Sequence, residues 1–139
     1  MLVRISENGI ITFYGTEAGL DVVGIRAICQ DAASRLLLGT DRGVYAMDDS
    51  ETIRLLDDDR LKSCYVNQMS QDASGTVYGS DYDGNVFVIR DLRVVCYLES
   101  TLVPVRSVFG DLLHENWVYI GTTGSETLHG CQSRQRLMN

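Results

Sequence analysis

Few residues in this sequence are of types that do chemistry, and each sits in a pattern that can be tested against the chemistry it suggests. The stretch LLLGTDRGVYAMD, Leu36 to Asp48, sets Gly39 and Gly43 around Thr40-Asp41-Arg42. A phosphate-cradling loop needs a lysine and a serine or threonine directly after its second glycine, and then a helix. Here VYAMD follows instead, so the glycines read as a turn between strands that requires positive φ. Asp81-Tyr82-Asp83-Gly84-Asn85 has the look of a calcium loop. Its glycine stands fourth rather than sixth, and Leu92 falls where the bidentate glutamate belongs. It reads as a tight turn, and Asp57-Asp58-Asp59 as a solvated loop.

Cys29, Cys64, Cys96 and Cys131 are 35, 32 and 35 residues apart and form no Cys-x-x-Cys pair. Neither a zinc site nor a thioredoxin-like motif is suggested. Cys29, Cys64 and Cys96 lie within or beside apolar segments and are expected as buried small hydrophobes, not disulfide partners. The two histidines, His114 and His129, neighbour no Gly-x-Ser-x-Gly elbow. No carboxylate pair stands out for glycosidic cleavage. The expectation is a chain that is not an enzyme, with no catalytic residue, metal site or cofactor.

The chain has 139 residues, 45% hydrophobic and 22% charged, which suits one soluble globular domain with a real core. Its net charge of -7 argues against nucleic acid, whose phosphates require clustered Lys and Arg. No apolar run approaches the roughly 18–20 residues that span a bilayer. The start, MLVRISENGIITF, is broken by Arg4, Ser6, Glu7 and Asn8 and does not read as a secretory leader.

The elements that hold these residues follow a repeat. VGIRAICQDAASRLLLGTDRGVYAMD from Val23, CYVNQMSQDASGTVYGSDYDGNVFVIRD from Cys64 and VPVRSVFGDLLHENWVYIGTTGSETLHG from Val103 align. Their aspartates, Asp31, Asp72 and Asp111, are 41 and 39 apart; their glycines, Gly39, Gly79 and Gly121, are 40 and 42 apart. Each unit reads as a strand, an Asp-led turn, a second strand ending in glycine, a third strand and a looser fourth. The first strands are IRAIC, VNQMS and VRSVF; the third are GVYAMD, NVFVIRD and ETLHG; the fourth are TIRLLDD and LRVVCYLES. Val, Ile, Leu and Tyr dominate, and no segment keeps a 3.6 period over three turns, so strand is favoured over helix.

Four short antiparallel strands per forty-odd residues is the pattern of a β-propeller blade. The fold class is therefore all-β, with about three blades' worth in the chain. Residues 1–20 supply the outer strands of a split blade, 21–60 and 61–101 are blades, 102–130 supply the inner strands of the split blade, and 131–139 is a tail. The tail, CQSRQRLMN, fits no fourth strand and reads as a truncation.

These residues resemble the two-component regulator propeller repeats of bacterial sensor proteins. The resemblance rests on IRAICQDAASRLLLGTDRGVYAMD and VNQMSQDASGTVYGSDYDGNVFVIRD, and more loosely on VRSVFGDLLHENWVYIGTTG, and it covers residues 1 to about 130. Tyr78 and Trp117 stand where the family favours an aromatic, and EAGL (Glu17 to Leu20) where a Gly-Leu precedes each repeat. Leu37 departs from the aromatic preference, and Ala33-Ser34-Arg35 replaces the usual turn glycine. The resemblance implies an extracytoplasmic ligand-sensing region of a signalling receptor, upstream of a membrane span and an output domain that this sequence does not contain. The rival readings are a freestanding protein-binding scaffold and a propeller hydrolase.

Arg26, Asn67 and Arg106 occupy one place in the first strand of the three repeats. If those strands line a central channel, the three side chains converge there as ligands for an anion or a hydrogen-bonding small molecule. The alternative is that they satisfy neighbouring turns or carbonyls. The complementary half-blades also suggest a homodimer, in which two complete blades from each chain and two shared ones make a closed ring of six; the alternative is that the chain is a fragment of a larger propeller.

Overall fold

The computed structural model describes residues 1–99 and 105–122. The third-strand segment ETLHG, His129, Cys131 and the tail from 131 lie outside them. The described chain is all-β, in four antiparallel sheets. β1 (Leu2–Ile5) and β2 (Ile11–Tyr14) form the first. The second is β3 (Ile25–Gln30), β4 (Leu36–Thr40), β5 (Gly43–Met47) and β6 (Ile53–Leu55) in simple up-and-down order. The third repeats it with β7 (Val66–Gln71), β8 (Val77–Asp81), β9 (Val86–Arg90) and β10 (Arg93–Leu98). The fourth holds β11 (Val105–Gly110) and β12 (Val118–Thr122).

The sheets stack face to face, with β3 beside β7 and β7 beside β11. Each interface has its own apolar core. Leu2, Tyr14, Leu38, Tyr45 and Ile53 fill the first, Leu37, Val44, Val66, Val77, Phe87 and Ile89 the second, and Val86, Val105 and Val108 the third. Strands β4 and β8 are covered on both faces, which is why LLLG and VYG lack polar alternation.

Turn chemistry sets the strand lengths. Asp72 Oδ1 accepts the backbone N–H groups of Ser74 and Thr76, and Asp31 Oδ1 those of Ala33 and Arg35. Gly75 then takes φ of 81°, and Ser34 and Asn116 adopt the same left-handed conformation at 62° and 63°. The turn at Ala33-Ser34-Arg35 thus keeps its shape without glycine. The Gly39–Gly43 stretch is a hairpin turn: Gly43 has φ of 88°, and Thr40 Oγ1 donates to the Gly43 carbonyl at 2.8 Å.

Pairing corrects the repeat alignment at two places. Gly39 and Gly121 lie opposite Ala27 and Ser107, and the residue in that position of the middle sheet is Ser80, opposite Gln68. Gly79 is one place earlier, where the ring of Phe87 fills the space a side chain would take: a Cβ there would lie 2.2 Å from it. Likewise Tyr119, not Trp117, matches Tyr78. Both tyrosine hydroxyls donate to the turn aspartate of their own sheet, Tyr78 to Asp72 at 2.9 Å and Tyr119 to Asp111 at 3.3 Å.

Two expectations fail locally. Asp58 is not a loop residue but the N-cap of a one-turn helix, α1 (Asp59–Lys62), and accepts from the Arg60 N–H at 2.9 Å. Buried Leu61 anchors that turn, which is too short to leave a helical period in the sequence. Cys29 and Cys64 are buried free thiols, but Cys96 is half-buried and disulfide-bonded. It sits on β10, an outer strand that packs Val94 and Tyr97 against the second core and Leu98 against the third.

Candidate functional site

Arg26, Asn67 and Arg106 fall at one structural position. In each first strand the pairing register shifts by one residue, between Ile25 and Ala27, Val66 and Gln68, and Val105 and Ser107. The three candidates are the extra, unpaired residues of three equivalent β-bulges. A bulge bends its strand and re-aims the side chain it carries, and it recurs next to functional sites.

Their surroundings differ. Arg26 is exposed and donates through Nη2 to the Tyr65 hydroxyl. Its guanidinium lies 5.1 Å from the Tyr65 ring centroid and 5.8 Å from that of Tyr82. The two rings meet edge to face, 4.8 Å apart at 89°. The hydrogen bond to Tyr65 raises the Arg26 pKa further, so the cation is permanent. Asn67 is half-buried and donates from Nδ2 to the Arg106 carbonyl at 3.5 Å. The Arg106 side chain is exposed.

Neighbouring first strands are stitched together below this row. Gln68 Oε1 accepts the Val108 N–H at 3.1 Å, and Ser70 Oγ that of Gly110 at 2.8 Å. A cleft of about 370 Å³ opens between Arg26, Ile28, Gln68, Ser70, Val108 and Phe109. Its walls offer a fixed cation, hydrogen-bonding groups and apolar surface, the equipment for holding an anionic or polyhydroxylated small molecule.

Nothing in this row resembles a nucleophile with its base. Burial pushes the Cys29 thiol up to about 12 and the Cys64 thiol higher still, so neither forms a thiolate near neutral pH. His114 is a turn residue whose Nδ1 lies 2.8 Å from Asp111 Oδ2. Among the described residues no group of three or more His, Cys, Asp or Glu is placed to hold a metal ion. Asp81 to Asn85 closes as a turn, Asn85 N–H donating to Asp81 Oδ1 at 2.9 Å. No helix among the described residues is long and apolar enough to cross a membrane.

Sequence reasoning missed Tyr65 and Tyr82. Their counterparts in the preceding sheet are Gly24 and Asp41: Asp41 N–H donates to the Gly24 carbonyl as Tyr82 N–H donates to that of Tyr65. The available signal was that departure, two aromatics at repeat positions that elsewhere carry small or polar residues. Comparison with family models, curated proteins and solved structures finds no match for this chain.

Proposed function

We propose that the four sheets are blades and half-blades of a β-propeller and that the chain is a non-catalytic ligand-binding module of the sensing type found in two-component regulator propeller receptors. The observation that carries this reading is the threefold recurrence of the bulge at Arg26, Asn67 and Arg106 on adjoining first strands. In a propeller the first strands line the axis, and on this reading the bulge residues Arg26 and Arg106 face it, while the Asn67 amide is engaged with the Arg106 carbonyl. Arg26, held against Tyr65 and Tyr82, supplies a preorganised cation, and Arg106 a second. The ligand class that fits is a small carboxylate or an acidic or sulfated sugar, held by charge-assisted hydrogen bonds and stacking on the tyrosines.

Titration of the chain with a panel of such anions, followed by thermal shift and calorimetry, tests the proposal. Arg26→Ala and Arg106→Ala are each expected to weaken the best binder roughly ten-fold, with unchanged far-UV dichroism. Unchanged affinity in both variants overturns the assignment of the site.

A further inference from the structure

At the end of β3 away from Arg26, the Asp-led turns of the second, third and fourth sheets meet around a cleft of about 560 Å³. The turns of the third and fourth sheets are laced together. Ala73 N–H donates to the Asp111 carbonyl at 2.8 Å, and Asn116 N–H to Asp72 Oδ2 at 2.7 Å. Among the described residues no hydrogen bond joins the turns of the second and third sheets. Arg35 crosses there instead, with Nε on Asp31 Oδ2 and Nη2 on Asp91 Oδ1, both at 2.8 Å. The cleft opens beside it, and Ala32, Ala33, Ser74 and Gly75 give it small walls.

Two charges that line this space have no partner of opposite sign. Arg90 donates from Nε to Thr76 Oγ1 at 3.1 Å and from Nη2 to Asn116 Oδ1 at 2.6 Å, and both acceptors are neutral. The guanidinium is thus held in place, yet it makes no ion pair with any described residue. The Glu115 carboxylate lines the same cleft and has neither an ion pair nor a hydrogen bond among the described residues. Asp91 adds an unused oxygen, since only its Oδ1 is taken by Arg35. Asp91 and Leu92 make up the whole turn between β9 and β10, with φ of 48° and 60°. Such a turn favours Asn-Gly, and a left-handed leucine is strained. Strain of this kind is kept where contacts enforce it, and it clusters at ligand sites. Here the Arg35 ion pair and the packing of Leu92 on the second core enforce it.

We infer that this cleft binds a small α-amino acid of net positive charge, such as lysine. Arg90 pairs with the carboxylate, and Glu115 and Asp91 with the ammonium groups. A simple anion would meet Glu115, Asp91 and Asp31, and a simple cation would meet Arg90. Arg35 and Arg90 stand against Asp31, Asp91 and Glu115, which leaves one negative charge in excess. That excess selects a cationic amino acid over an acidic one. The small walls suit a polar ligand rather than an apolar one. The site is separate from the row at Arg26 and does not depend on the propeller reading.

Calorimetric titration with L-lysine at low ionic strength, where screening is weak, tests the inference. Saturable binding is expected. Cadaverine, which lacks the carboxylate, and hexanoate, which lacks both ammonium groups, are each expected to bind at least ten-fold more weakly, and L-glutamate likewise. Arg90→Gln and Glu115→Gln should each weaken lysine roughly ten-fold. Glu115 makes no bond in the free chain, so Glu115→Gln should keep the far-UV dichroism and the unfolding midpoint. Arg26→Ala is expected to leave lysine binding unchanged. No saturable binding of lysine, equal binding of cadaverine or hexanoate, or full affinity in Glu115→Gln overturns the inference. So does a loss in Arg26→Ala, which would place lysine at the other end of β3.

Discussion

At the residue scale, the turn aspartate shows how one side chain organises a hairpin. Asp72 is buried, and its two oxygens take donors from four residues: Ser74 and Thr76 within the turn, the Tyr78 hydroxyl at 2.9 Å, and the Asn116 N–H of the adjoining sheet at 2.7 Å. Burial pushes the carboxyl up, but the bonds from Ser74, Tyr78 and Asn116 outweigh it and hold the pKa below the usual range. A carboxylate whose folded pKa is depressed stabilises the fold above its unfolded pKa, and that contribution is lost as pH falls through the folded value. The window is therefore below about pH 4. Asp72→Ala strands those donors and is expected to cost about 2 kcal/mol or more at neutral pH. Its stability should also fall less steeply than that of the unsubstituted chain between about pH 4 and 2. Urea midpoints measured across that range check both; parallel acid slopes would refute the account.

At the element scale, the sheets approach so closely that a turn can belong to two of them. Gly75 has φ of 81°, and a Cβ on it would lie 2.4 Å from the Ala32 nitrogen of the preceding sheet. Gly9, with φ of 80° in the β1–β2 turn, has nothing within 4 Å of such an atom. Both carry the left-handed penalty of about 1–2 kcal/mol on substitution, but only Gly75 adds a backbone clash between sheets. Gly75→Ala is thus expected to destabilise by clearly more than Gly9→Ala in denaturant unfolding, and equal costs would contradict the sheet spacing. The same contrast shows what the sequence makes legible. Asp-led turns and their period are local chemistry, so the four sheets and the common place of Arg26, Asn67 and Arg106 could be read from it. That each of the three is a bulge could not, because one extra residue leaves no mark until a partner strand is paired. Alignment on identical residues put Gly79 beside Gly39, whereas pairing puts Ser80 there, since Phe87 occupies the space beside Gly79. The Tyr65–Tyr82 cradle escaped for a similar reason: it is a contact between segments, made by residues that do not repeat.

At the scale of the whole molecule, the cores lie between sheets rather than within them, and this decides how the chain unfolds. Cys29, Leu37, Val44 and Ala46 of the second sheet share one cluster with Val66, Val77, Phe87 and Ile89 of the third, together with Leu56, Leu61 and Cys64 from the connection between them. Neither sheet can separate without exposing the other's half of this cluster. Phe87 is its largest fully buried side chain, and its ring also occupies the space above Gly79. Truncation removes contacts on both sides of the interface, so Phe87→Ala is expected to cost about 3–5 kcal/mol. That loss should appear in the two complete sheets together, because they form one cooperative unit. Hydrogen exchange followed strand by strand provides the check. Protection in β3–β5 and β7–β9 should fall by a common amount in the variant, while β1–β2, packed through Leu2 and Tyr14 on the opposite face of the second sheet, opens at lower free energy in both proteins. A variant that loses protection in β7–β9 but keeps it in β3–β5 would mean that the sheets unfold independently and that the shared core does not couple them.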